Sequence, residues 1–144
     1  MKPAVAILPG DRLHLQHGPI DLIIGVEGDR MRAFDAAEIR LGTILAEVMN
    51  EIDLLRISKG PMPKGGVALK MWQAAQAHTG FVTPMAAVAG AVAETVLEAM
   101  VEAAEIRRAY VNNGGDIALH LTGEETFVIG MSGLDGRAFG KVNL

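Results

Sequence analysis

Tyr110-Val111-Asn112-Asn113-Gly114-Gly115-Asp116-Ile117 is a strand that runs into a glycine pair and a carboxylate. Upstream of it, Phe81-Val82-Thr83-Pro84-Met85-Ala86-Ala87-Val88-Ala89-Gly90-Ala91-Val92-Ala93-Glu94 is the start of a helix made almost entirely of small side chains. Asn113-Gly114 is a favoured hairpin turn between two apolar strands. The same glycines would also let the backbone approach a planar or phosphorylated ligand, with Asp116 as acceptor or metal ligand. Both readings stay open on spacing alone. Thr83 is a reasonable N-cap, and Pro84 suits the first helical position.

That helix is expected over residues 84–105. Its first-turn N–H groups at Met85, Ala86 and Ala87 would face the positive end of the helix dipole, where a phosphate or carboxylate can sit. Small residues at 86, 87, 89 and 90 would let a ligand come close, and they serve equally well to pack a helix on a sheet. Glu94, Glu98 and Glu102 recur every four residues, with Glu105 beyond them. Such a stripe is the solvated face of an amphipathic helix or a set of paired carboxylates for a divalent cation.

Working outward, residues 3–8, 12–17 and 20–27 read as strands, separated by Pro9-Gly10-Asp11 and Gly18-Pro19. Leu13, Leu15 and His17 would share one face, and His14 and Gln16 the other, so the two histidines would not share a metal. From Asp29 to Leu55 the pattern turns helical, with Met31, Phe34, Ile39, Ile44, Leu45, Val48, Met49 and Ile52 as the apolar stripe. A glycine- and proline-rich loop at 58–66 carries Lys59 and Lys64, without P-loop spacing. A further helix is expected over 67–78, stopped by His78-Thr79-Gly80. Strands should follow at 108–112, 116–122 and 125–131, and the tail 139–144 alternates like a strand with no partner after it.

The fold class is therefore α+β, a mainly antiparallel sheet packed with about three helices, in one domain spanning 1–144. Composition agrees. The chain of 144 residues is 50% hydrophobic but only 4% aromatic, so its core is aliphatic with much small-residue packing. It has no cysteine, which excludes disulfides and thiolate metal sites. The net charge of −4 and the absence of Lys or Arg between Lys70 and Arg107 leave no basic stripe for nucleic acid. Met71 to Ala93 lacks charge, but Gln73, Gln76, His78, Thr79, Gly80 and Pro84 interrupt it, against a membrane span. No signal-peptide layout opens the chain, and a cytoplasmic location is the default.

The segments 50–56 (Asn-Glu-Ile-Asp-Leu-Leu-Arg), 81–94 and 111–117 resemble a prokaryotic family of uncharacterised function related to the ApbE-type proteins. Those are magnesium-dependent FAD:protein FMN transferases, once labelled thiamine-biosynthesis lipoproteins. The resemblance implies an ApbE-like fold, a flavin (FAD or FMN) or another phosphorylated cofactor, and magnesium. It implies ligand contacts from Thr83, Met85, Ala86, Ala87 and Gly90 on one segment, and from Asn112, Asn113, Gly114, Gly115 and Asp116 on the other. Asp116 is the one candidate for the metal. The chain departs from the transferase pattern. Val88-Ala89-Gly90 stands where Ala-Lys-Gly would be, Met85 replaces an acid, and Glu94 replaces a later Asp. The transferases are also longer, so the chain is either incomplete on its C-terminal side or a shortened member. Three functions follow as expectations: a cofactor-binding protein, an assembly module in which the small-residue helix packs on a second copy to make a homodimer, and a transferase completed by missing residues.

Overall fold

The first three strands are dictated by their turns. β1 (Ala4–Leu8) and β2 (Arg12–His17) are joined through Gly10 and Asp11, whose φ angles are 81° and 55°. Gly10 takes that conformation without steric cost, and Asp is among the few other residues that tolerate it. β2 returns into β3 (Ile20–Gly28) across Gly18-Pro19, with Gly18 at φ 59°. All pairings are antiparallel: β3 pairs with β4 (Ile106–Asn113), which in turn pairs with β5 (Asp116–Leu121). The result is one open five-stranded sheet in the order β1-β2-β3-β4-β5. The computed structural model describes residues 2–123 in full, together with the backbone of 128–132 and 138–143.

Every described helix lies in the connection between β3 and β4. One face of the sheet is therefore covered, by Leu13, Leu15, Leu22, Ile24, Val26, Ala109 and Val111 packed against helices. That segregation is the mark of an α+β fold. His17 is buried on this face, and His14 points to the other, where it bonds Asp21.

α1 covers Arg30–Asn50, opened by the Asp29 carboxylate accepting from the Arg32 N–H. Its buried stripe is Ala33, Ala37, Leu41, Ile44 and Val48. This corrects the expected stripe: Met31, Ile39 and Met49 are 81%, 75% and 55% exposed. Alanine rather than the larger side chain faces inward because α1 lies close against another helix, α4 (Val88–Ala103). The expected helix to Leu55 breaks at Glu51, after which a short α2 (Ile52–Leu55) begins. The Glu51 carboxylate accepts from the backbone N–H groups of Lys64 and Gly65 at 2.7 and 2.8 Å. It thereby anchors the entry to α3 (Gly66–Gln76). α3 stops at Ala77, ahead of the expected glycine stop.

One further expectation changes. The helix read over 84–105 begins as a 3-10 turn, Pro84–Ala87, and becomes α4 only at Val88. The alternating tail forms β7 (Ala138–Asn143), which pairs antiparallel with the preceding β6 (Val128–Ser132) as a separate two-stranded sheet. The strand read over 125–131 starts, and the tail ends, outside the described residues.

Residues 84–103 are long and apolar enough to cross a membrane, with 20 residues and a mean hydropathy of 1.4. In this fold they form the central helix. Ala91, Val92, Ala93, Thr95, Val96, Leu97 and Met100 are buried between α1 and the sheet.

Candidate functional site

The β4–β5 hairpin is built by its two glycines. Gly114 and Gly115 have φ angles of 60° and 107°, and Asn113 pairs with Asp116 across them. Two consecutive positive φ values match the twist of the flanking strands, so Gly114-Gly115, rather than Asn113-Gly114, forms the two-residue loop. The Asn112 side-chain oxygen accepts from the Gly115 N–H at 2.9 Å and fixes the turn.

The hairpin packs on the first turns of α4. The Asn113 side-chain amide donates to the Ala89 carbonyl at 3.2 Å. A Cβ added at Gly90 would stand 3.9 Å from the Asp116 carboxylate. Asp116, Gly90 and Asn113 are thus brought together. A groove of about 400 Å³ opens beside them, between α4 and the edge strand β5. Its apolar wall is Leu97, Ile117, Ala118 and Leu119, and its polar groups are Glu94, Glu98 and Asp116. Lys70 neutralises part of that charge, with Nζ 3.1 Å from Glu98.

The earlier part of the segment lies elsewhere. The 3-10 turn packs chiefly on α3. Thr83 makes no side-chain cap, and its carbonyl accepts from the Ala86 N–H at 3.1 Å. Met85 is partly buried against the core, and its carbonyl accepts from the Val88 N–H. The N–H groups of Met85 to Ala87 therefore belong to a 3-10 turn, in which that of Ala86 is already engaged, and not to the first turn of an α-helix. Thr83, Met85, Ala86 and Ala87 are not among the residues that line this groove, whereas Gly90 and Asp116 are.

The remaining charged candidates have structural partners. Lys59 donates to the carbonyls of His78 and Gln76, at 2.7 and 3.4 Å, and so closes the C-terminus of α3. The Trp72 indole donates to the Gly60 carbonyl at 2.8 Å, tying down the 58–66 loop. Among the described residues, no three His, Asp or Glu side chains are placed to hold a metal ion. Glu51 was missed as an anchor in the sequence, which carries no local signal for a contact made across 13 residues. Ala91 and Ala93 of the small-residue helix are buried within the chain, while Ala86 is exposed and Ala87, Ala89 and Gly90 are half-buried.

These features define an α+β protein with helices on one face of an open antiparallel sheet and a carboxylate-edged groove beside its last strand. The chain belongs to the family described as AbpE bacteria, whose model matches residues 5–144. Despite the similar name, that family is distinct from the ApbE-type FMN transferases. The expected relation to the transferases is thereby corrected, and with it the ApbE-like fold label and the thiamine association. No curated protein and no solved structure matches the chain.

Proposed function

We propose that this protein binds a small phosphorylated ligand in the groove between α4 and β5, as a complex with a divalent cation. The observation that carries this is the convergence of Gly90, Asp116 and the apolar side of β5 on one groove. The missing side chain at Gly90 leaves room for a ligand, and the apolar wall offers area for a ring. The groove's volume falls within the usual range for small-molecule sites. A free phosphate would meet Glu94, Glu98 and Asp116 and be repelled. A magnesium ion carried by the phosphate reverses that sign, with Asp116 as its protein contact. FMN and FAD are the first ligands to test, and a cytoplasmic location suits such a cofactor.

Calorimetric titration with FMN, FAD and simple nucleotides, with and without magnesium, tests this. Heat of binding is expected only when magnesium is present. Asp116→Ala should weaken binding at least about tenfold while changing stability by no more than about 0.5 kcal/mol, since the side chain is exposed. An intact protein that binds none of these ligands would leave assembly as the better account. The exposed edge strand β1, rather than α4, is the feature that favours assembly.

A further inference from the structure

β1 is an edge strand without the usual protection. Its five residues, Ala4-Val5-Ala6-Ile7-Leu8, are apolar and uncharged, and all but Leu8 are exposed. Val5 and Ile7 are on the same side of the sheet as the buried Leu15 and Leu13, their register partners. Yet Val5 and Ile7 are 48% and 63% exposed, because the helix layer stops short of β1. Edge strands of soluble proteins are normally blunted by a lysine, a proline or a bulge within the strand. Here Pro3 and Pro9 lie just outside it and leave the five-residue ladder intact.

We infer that β1 pairs antiparallel with β1 of a second copy, across a two-fold axis at Ala6, to make a symmetric dimer with one continuous sheet. This goes beyond the ligand-binding proposal and does not depend on it. Three features select a second copy as the occupant. The axis sets Val5 opposite Ile7 of the second copy and Ile7 opposite Val5, so the exposed apolar pairs cover each other on one face. The prolines at both ends limit the register to residues 4–8. Of the charges that flank the strand along the chain, Lys2 lies before it and Asp11 after it, and antiparallel pairing brings each beside its opposite on the second copy, while the neighbouring Arg12 side chain is turned back to the Pro9 carbonyl. Asp11 is 73% exposed even while its carboxylate lies 3.5 Å from Arg30, so it remains accessible to Lys2. Pairing of β1 with β5 of another copy would instead be head-to-tail and need a ring of copies or an open polymer, whereas the β1 pair closes with two.

Sedimentation velocity on the full chain across the micromolar range tests this, together with cysteine cross-linking in a chain that has no native cysteine. A monomer–dimer equilibrium is expected, and Ile7→Lys should weaken it at least about tenfold by placing a charge on the ladder. In Ala6→Cys the two introduced thiols face each other across the axis, at a Cα separation of about 4.5–5.5 Å that a disulfide can span. In Ala4→Cys they are more than about 13 Å apart along the strands. Rapid covalent dimer in the first and little in the second is the expected result. The proposal is overturned by a monomer throughout the range, by growth beyond the dimer, by a dimer unchanged in Ile7→Lys, or by equal cross-linking at both positions. Circular dichroism of each variant, expected to match the parent, separates lost pairing from lost fold.

Discussion

At the scale of single residues, two positions show how backbone and charge set local stability. Gly28 sits at a bulge between β3 and β4 with φ 148°, and an added Cβ would come 2.3 Å from the Glu105 carbonyl oxygen. Neither the conformation nor the space admits a side chain, so Gly28→Ala should destabilise the fold by about 2–4 kcal/mol in urea denaturation. Glu47 is held below the usual carboxylate range, chiefly by its hydrogen bond to Arg40, with desolvation opposing and Thr43 adding to the effect. A lowered folded-state pKa means stability that is present above the ordinary value of 4.5 and is lost as pH falls through the folded one. Glu47→Gln should therefore cost about 0.3–1 kcal/mol at neutral pH, and the difference in Tm should close below that value. At this scale the site was only partly legible. Asp116 and the glycines were visible as turn chemistry, but Glu51 gains its role only when the chain folds back on itself.

At the scale of elements, α4 explains the run of small residues that dominates the sequence. Ala91 and Ala93 are buried where the helix is packed between α1 and the sheet. Ala93, fully buried, should accept no larger side chain, and Ala93→Leu is expected to cost about 1–3 kcal/mol through overpacking. Glu51→Ala removes two charge-assisted bonds from the entry to α3 and should cost about 1–2 kcal/mol, measured by urea titration. The existence and order of the strands up to β5 were legible because Gly-Pro and Gly-Gly turns have few conformations open to them. The break at Glu51 and the 3-10 start at Pro84 were not. Both follow from contacts with α3, which is remote in sequence from the first and only loosely linked to the second.

At the scale of the whole molecule, stability should be graded. β3, β4 and α4 hold the core, while residues 77–81 between α3 and the 3-10 turn are exposed throughout. Hydrogen exchange should therefore be slowest in β3, β4 and α4 and fastest over 77–81. The sequence by itself determined the fold class, because period-two apolar strands separated by glycine turns, with helices clustered in a single stretch, permit an antiparallel sheet covered on one face. It also determined that the core would be aliphatic and that Asp116 would follow a tight turn. Only the tertiary structure decided which face of α1 is inside. Close approach of α4 favours alanine there over Met31 and Ile39, a preference that no hydropathy pattern carries. Only the tertiary structure, too, packed Pro84–Ala87 chiefly on α3 and set Gly90 against Asp116. The distance between segments that are remote along the chain depends on how helix and sheet pack, and that is a property of the assembled core rather than of either segment.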